Sequence, residues 1–274
     1  GKTLTASGAG KMNIGVDVLP PIPKDSTDRN RTSPFAFTGN KFEFRSCGSS
    51  LSIAGPNTTL NAIVAKTLKE FADELESAKD FDDSLANLIK REVTAHWKIV
   101  FNGNGYDASW VTEAEKRGLM NLRTTPDAVA HYLDEKNVKL FTEMGVYTKD
   151  EMESHYDIKL EKYSQVLNIE VNTMLEMINK DIFPACYKYM KDVSKTVCQM
   201  KTAVPQAKCV SQTALLEKLD SLSETLLKKA NILEEAHKEA QNENDLMKAA
   251  RIYSEKVVPA MKEARKTFDQ MEPL

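Results

Sequence analysis

Apolar residues recur at helical spacing along a long stretch in the second half of the chain, and this periodicity constrains the fold more than any other feature. The stripe consists of Met152, Tyr156, Leu160, Tyr163, Leu167, Val171, Met174, Ile178, Ile182, Tyr189 and Val193. Thr148 and Glu151 have the spacing of a capping box, which predicts the first turn of the helix. About 50 residues of helix would extend about 75 Å. Pro184 falls inside this stretch, so we expect it to kink or divide the helix.

Helical periodicity also covers most of the chain from residue 60 onward. One stripe consists of Leu60, Val64, Leu68, Phe71 and Leu75, and a second of Phe81, Leu85, Leu88, Val93, Trp97 and Val100. Short helices are predicted at 108–117, ended by Gly118, and at 126–136, where Thr125 is the expected cap and Pro126 lies in the first turn.

The last 70 residues predict an antiparallel αα-hairpin. One face consists of Leu215, Leu219, Leu222, Leu226, Leu233 and Ala236, and the other of Leu246, Ala250, Tyr253, Val257, Ala260, Ala264 and Phe268. A short connection at 242–244 joins them. The heptads are too few and too broken for a dedicated coiled coil.

A β-hairpin is predicted ahead of the helices, at 35–38 and 41–45. Aromatic residues alternate on both sides of a Thr38-Gly39-Asn40 turn, which has the glycine that such turns need. The predicted fold class is therefore α+β and predominantly helical: a short β-hairpin, then long α-helices and a C-terminal αα-hairpin.

Charge and composition exclude several classes of protein. The net charge of −3 attracts neither nucleic acid nor an anionic membrane, and no apolar run approaches the roughly 20 residues of a membrane span. The N-terminus lacks the apolar core of a signal peptide. The four cysteines have no paired spacing, and we interpret them as reduced thiols in the cytoplasm, although Cys198 and Cys209 flank a proline-containing loop and could meet.

The second strand of the hairpin combines opposite charges on one face. Successive side chains of a strand point to opposite faces, so Lys41, Glu43 and Arg45 share the face opposite two phenylalanines. A glutamate is a hard ligand for Mg²⁺ or Mn²⁺, and a guanidinium holds carboxylate or phosphate. Arg29 and Arg31 bring further positive charge to the hairpin. The alternative is a solvated strand face whose charges pair weakly, worth about 0–1 kcal/mol.

Three segments resemble glutamine synthetases, in particular the type III branch. They are NRTSPFAFTGNKFEFR (30–45) with DSTDRNR before it, GSSLSIAGPNTTLNAIVA (48–65) and FNGNGYDASWVTEAEKRGLMNLRTT (101–125). The resemblance covers about residues 15–190, and the last 70 residues match only as generic helix. It implies an ATP-dependent ligase that phosphorylates the γ-carboxylate of glutamate and lets ammonia displace the phosphate, with ATP and Mg²⁺ or Mn²⁺ as cofactors.

The resemblance also implies roles for four residues. Glu43 matches the family's strand glutamate that ligates a metal ion, and Arg45 matches the arginine that contacts glutamate and the transferred phosphoryl group. Arg31 matches an arginine that contacts nucleotide phosphate and substrate. Lys41 stands where other branches carry a nucleotide-contacting arginine. Catalytic and substrate-binding roles therefore go to Arg31 and Arg45, nucleotide binding to Arg31 and Lys41, and metal binding to Glu43.

The chain departs from the family pattern in what it lacks. Ala36 stands where other branches have an arginine, and residues 1–274 do not include the family's N-terminal β-grasp domain, earlier metal-binding glutamates, metal-binding histidine or flap. All four histidines fall in helix-patterned sequence. We therefore expect residues 1–78 to be the C-terminal portion of the catalytic domain and 79–274 a helical extension. We also expect this chain to be inactive alone.

Two interpretations remain open. In one, the chain is part of the ligase, whose complete form assembles as a homo-oligomeric ring. In the other, it is a non-catalytic helical module that assembles subunits or binds a partner and retains the motif segment.

Overall fold

The computed structural model describes residues 51–101 and 107–274, together with the backbone of four short strands before them. The strands are β1 (Lys11–Met12), β2 (Ile22–Pro23), β3 (Phe35–Phe37) and β4 (Phe42–Phe44). The α-helices are α1 (Ala54–Glu76), α2 (Phe81–His96), α3 (Ala108–Lys116), α4 (Thr125–Ala130), α5 (Glu135–Glu143), α6 (Lys149–Met177), α7 (Phe183–Ala203), α8 (Val210–Gln241), α9 (Leu246–Ile252) and α10 (Val258–Met271).

The predicted α+β class is wrong. Across 51–101 and 107–274 the chain is 82% helical and contains no strand, which confirms the predominantly helical part of the prediction and removes the β part. The strands form two separate antiparallel pairs of two and three residues each, with Phe35 opposite Phe44 in the second pair. An isolated two-stranded pair is marginal in water, so neither pair supplies a sheet on which the helices could pack as a layer.

The chain divides into two compact units, 1–121 and 122–274. The predicted domain boundary between residues 78 and 79 is a different division, and it stays a prediction. None of the helices between residues 51 and 101 or between 107 and 274 has the apolar stretch that a membrane span requires.

In the first unit, α1 and α2 are joined by an ion pair more than by a core. The Arg91 guanidinium donates to both carboxylate oxygens of Glu74, at 3.0 and 2.9 Å. Asp80 caps α2 by accepting from the Asp83 backbone N–H. Ala62 and Leu88 are the buried residues of the two helices, so the predicted apolar stripes of α1 and α2 are largely left uncovered by the described residues.

The helix starts of the second unit show which sequence signals were reliable. The capping box at Thr148 and Glu151 is confirmed, since each side chain accepts from the other residue's backbone N–H. The predicted helix at 126–136 is wrong in two respects. Thr124 rather than Thr125 is the cap, and the chain turns at 131–134 before a separate helix α5 begins. His131 and Asp134 lie in that turn with Nδ1 and Oδ2 3.0 Å apart, a local bond that favours a turn over continued helix.

Pro184 divides the long helix as predicted, and it does so through a π-helical turn at Ile178–Ile182. Proline has no N–H, and its ring excludes the carbonyl four residues earlier, so the backbone widens by one residue. The extra residue rotates the buried face. After the turn, Phe183 and Cys186 are buried, whereas Tyr189 of the predicted stripe is exposed. A second π-helical turn, Tyr253–Val257, precedes Pro259 in the same way and was not predicted.

The core of the second unit lies along α8. Its buried residues are Leu219, Ser223, Leu226, Ala230, Leu233, His237 and Ala240. They alternate between steps of four and three residues, which places them on one stripe facing α6, α7 and α10. Lys229 pairs with Glu263 and Lys256 with Glu239, so α8 runs antiparallel to α9 and α10, the pair that the sequence predicts.

Two polar side chains in this stripe have different partners. Ser223 donates to the backbone carbonyl of Leu219 at 2.8 Å, and the sulfur of Cys186 lies 3.4 Å from its hydroxyl. His237 is buried with both ring nitrogens lacking a hydrogen-bond partner, and its ring lies 5.9 Å from that of Tyr253. Burial lowers the pKa of His237 from its ordinary 6.5, because the charged imidazolium loses its hydration.

Leu226 and its neighbour Leu227 test the α8 stripe, since the first is fully buried and the second is half-exposed. We expect Leu226→Ala to lower the free energy of unfolding by about 2–5 kcal/mol, because it opens a cavity in the core. Leu227→Ala should stay within about 0.5 kcal/mol of the parent chain. Urea unfolding of the full chain, followed by far-ultraviolet circular dichroism, measures both, and equal losses would contradict the assignment of the stripe.

His237 predicts a pH dependence of stability. Since its folded pKa is lowered, the unfolded chain binds more protons between that pKa and 6.5, so stability is full above pH 6.5 and falls as the pH drops through the folded pKa. We expect His237→Leu to raise the free energy of unfolding at pH 7.5 by about 1–3 kcal/mol, since two unpaired buried nitrogens are removed. The substitution should also weaken the dependence of this free energy on pH below 6.5.

The matched control is His96→Gln, because His96 is exposed at the end of α2. It should leave the free energy of unfolding at pH 7.5 within about 0.5 kcal/mol of the parent chain. If His237→Leu destabilised the chain, or left the pH dependence of its free energy of unfolding as in the parent chain, the imidazole would have a partner in the folded protein.

Candidate functional site

The predicted site residues lie on and around strand β4. Glu43 is the central residue of β4, and the strand register places its Cα opposite that of Ala36 in β3. Arg31, Lys41 and Arg45 lie outside the described residues, and for Glu43 only the backbone is described. The register therefore fixes where Glu43 sits on the strand pair, and the convergence of the four side chains stays a prediction.

The helices offer no second set of metal ligands. Within 51–101 and 107–274, no three His, Cys, Asp or Glu side chains are grouped so that they could hold a metal ion. The described residues therefore do not fit a divalent cation site. Any such site would need Glu43 together with other residues outside the described helices.

Three of the histidines have local partners. His96 Nε2 lies 3.4 Å from Glu92, one turn away on α2. His131 pairs with Asp134 in the turn after α4, and the ring of His155 stands edge-on to Tyr147, with 4.8 Å between the centroids. These contacts position the imidazoles on or between helices, and none directs a ring nitrogen toward a shared ligand.

A cluster of contacts around Arg117 connects the residues after α2 to the end of α3. Arg117 donates to the backbone carbonyls of Val100 at 2.9 Å and Lys98 at 3.3 Å, and to the Glu113 carboxylate at 2.7 Å. The hydrogen bond from Arg117 to the Glu113 carboxylate lowers the pKa of Glu113. The guanidinium also lies over the ring of Trp110, 5.6 Å from its centroid. Arg117 thereby ties the end of the α2 region to α3 by contacts that periodicity could not reveal.

The stacked pair Phe101 and Trp110, with ring centroids 4.0 Å apart, completes the cluster. Asp107 caps α3 by accepting from the Ser109 N–H at 2.8 Å. The glycine-containing residues 102–106, part of one family-like segment, lie outside the described residues. The cluster holds both flanks of that segment in place, which is a structural role.

An apolar groove in the second unit was also missed by the sequence analysis. Two adjoining cavities of about 320 and 460 Å³ share Met177, Ile182, Arg265 and Phe268. Arg265 is paired with Asp269 at 2.7 Å, so its charge is neutralised locally. The groove has the chemistry to take up an apolar group, and it contains no acid–base pair or nucleophile with an activating base.

Comparison with known proteins identifies similar sequences over nearly the whole chain. Residues 84–201 match the family model described as the glutamine synthetase C-terminal domain. The chain is 37% identical over 279 residues to the type-3 glutamine synthetase of Dictyostelium discoideum, a match that covers 98% of this chain and 38% of that protein.

Two bacterial glutamine synthetases are similar to the chain as well. The protein of Butyrivibrio fibrisolvens is 40% identical over 263 residues, covering 92% of this chain and 36% of the relative. The protein of Bacteroides fragilis is 30% identical over 269 residues, covering 95% and 37%. The chain thus spans 36–38% of the length of the curated relatives that it matches.

Proposed function

Because the chain belongs to the glutamine synthetase family, we propose that it is part of an ATP-dependent glutamate–ammonia ligase. The observation that carries the proposal is the 30–40% identity to glutamine synthetases across 92–98% of the chain. The family-model match at residues 84–201 supports it independently of the strand segment.

The proposed reaction forms an amide in two transfers. A γ-carboxylate oxygen of glutamate attacks the terminal phosphorus of ATP, and the bond to ADP breaks. Ammonia then attacks the γ-carbonyl carbon, inorganic phosphate leaves with its oxygen, and the nitrogen loses a proton to give glutamine. Phosphoryl transfer depends mostly on positioning and charge neutralisation, so cationic side chains around the transferred group suit it.

Within this proposal, Arg45 binds the γ-carboxylate and the phosphoryl group, and Arg31 binds nucleotide phosphate and substrate. Guanidinium groups suit both ligands, since their paired N–H donors match carboxylate and phosphate oxygens. Lys41 adds a second contact to the nucleotide. Glu43 supplies one carboxylate ligand to Mg²⁺ or Mn²⁺, a hard cation that would neutralise phosphate charge.

We propose that this chain by itself does not carry out the reaction. One carboxylate and three cationic side chains do not complete a metal site, and the described helices offer no further grouped ligands. The complete ligase would be cytoplasmic and homo-oligomeric in this proposal.

The second candidate function is a non-catalytic assembly module. The observation that favours it is the second unit, residues 122–274, which is helical and has its own buried core. The two candidates differ in whether Glu43 has a chemical role, and substitution of Glu43 therefore distinguishes them.

We expect Glu43→Ala in the complete ligase to lower glutamine formation at least 100-fold at saturating ATP and to raise the Mg²⁺ or Mn²⁺ concentration needed for half-maximal rate. The reason is the loss of one negatively charged ligand: removing a residue that only orients a metal ligand costs about 10–100-fold, so removing the ligand itself should cost more. Phosphate release, measured with glutamate and ammonia over a metal titration, gives both quantities.

Glu224→Ala is the matched control, because Glu224 is an exposed α8 carboxylate paired with Lys228. It should leave the rate and the metal dependence unchanged. Full activity in the Glu43→Ala enzyme would contradict the metal role and favour the assembly module.

A further inference from the structure

The described part of the first unit leaves much of its apolar surface uncovered. Eleven large apolar side chains are exposed between residues 51 and 101, against fourteen in the much longer range 107–274. The eleven are Leu51, Ile53, Ile63, Val64, Leu68, Phe81, Ile89, Val93, Trp97, Ile99 and Val100. Soluble proteins rarely expose apolar side chains at this density unless the surface binds something.

Five of these side chains follow the helical periodicity of α1 and α2. Val64 and Leu68 are four residues apart and share one face of α1. Ile89 and Val93 have the same spacing on α2, and Trp97 continues it into the following turn. We call these two sets the α1 strip and the α2 strip. Each is the apolar face by which an amphipathic helix normally packs against a core.

Contact between α1 and α2 leaves the α1 strip and the α2 strip exposed, although Phe71 and Leu75 on the same face of α1 are half-buried. Ala62 and Leu88 are the buried residues, and the Arg91–Glu74 ion pair links the two helices through exposed side chains. An exposed ion pair contributes little stability, about 0–1 kcal/mol. A helix pair with so little burial gains its stability from tertiary packing elsewhere, so the strips need a covering surface.

We propose that the α1 strip and the α2 strip dock against the part of the complete ligase that this chain does not contain. The inference rests on the proposed function. Its support is the length of protein outside the structure: the chain matches 36–38% of its relatives, which leaves more than half of each relative to supply a surface. The occupant is thus an apolar face of the same polypeptide rather than a separate partner.

Hydrogen exchange tests the docking directly, with the chain alone compared with the complete protein that carries it. We expect amides of Ala54–His96 to exchange at least tenfold more slowly in the complete protein, while amides of α8 exchange alike in both. Equal exchange in α1 and α2 would overturn the proposal.

Paired substitutions give a second measurement with a matched control. Leu68→Ser with Val93→Ser removes apolar groups that are 60% and 52% exposed, and Ile232→Ser with Val166→Ser removes similar groups of the second unit at 58% and 45%. In the complete protein, the first pair should lower the melting temperature by several degrees more than the control pair. In the chain alone, both pairs should change the melting temperature by similar amounts, since both are solvent-exposed there and carry similar helix-propensity costs.

Other occupants give different results, and each overturns the proposal. If residues 1–50 covered the strips, α1 and α2 would be protected from hydrogen exchange equally in the chain alone and in the complete protein. A second copy as the cover would make their protection, and the emission of Trp97 in a Trp110→Phe chain, depend on chain concentration.

Glutamine formation by the unsubstituted complete protein separates this inference from the proposed function. An active protein without added protection of α1 and α2 would retain the function and refute the docking. Added protection in an inactive protein would retain the docking and refute the function.

Discussion

Burial of one stripe of α8 is the constraint on which the second unit depends. Leu226 and Leu233 on this stripe are fully buried, and Val171, Ile178 and Val257 meet them from the surrounding helices with equally little exposure. Helices of this length are not stabilised by propensity alone, so packing of an apolar face has to supply most of the stability. The two π-helical turns act within this constraint. Each lets the backbone stay helical as it approaches a proline, and each shifts the residues that face α8 by one position.

The sequence predicted the second unit well because helical periodicity is local and strong there. The capping box at Thr148, the division at Pro184 and the antiparallel C-terminal pair all follow from residues close together in sequence. What it missed also has local causes. Tyr189 was placed in the core because the register was continued through Pro184, whereas the π-helical turn rotates the helix before that residue. Ser223 and His237 were overlooked because they are polar, although their spacing of three and four residues from buried neighbours marks them as members of the stripe.

The first unit shows what periodicity cannot specify. Val64 and Leu68 have the same spacing as Leu167 and Val171, yet the first pair is exposed and the second is buried. A repeated apolar residue indicates that one face of a helix will be covered, and it carries no information about which surface covers it. The covering surface is a long-range property, so the sequence predicts the same burial for both pairs. The difference became visible only when the neighbours of each helix were known.

The charged side chains of the helices are arranged differently from those of a phosphoryl-transfer site. The carboxylates of Glu113, Glu176 and Glu224 have lowered pKa values because each accepts a hydrogen bond from an Arg or Lys one helical turn away. Such pairs neutralise charge on a helix surface, whereas a phosphoryl-transfer site gathers charges from different segments around one group. His237 is the buried side chain in the described helices that lacks a hydrogen-bond partner, and its neighbour is an aromatic ring rather than a second acid or base.

Strand alternation predicts that Glu43, Lys41 and Arg45 share one face, and the family resemblance implies their roles. Neither identifies the ligands that come from distant segments. In the proposed ligase, the chemistry belongs to the strand segment and to residues beyond the described helices. The helices of the second unit form a packed core of their own, and the described helices contain no grouped metal ligands. Carboxylates such as Glu176 and Glu224 are paired with a lysine one helical turn away, and a charge already neutralised by its neighbour does not compete for the cation of the reaction.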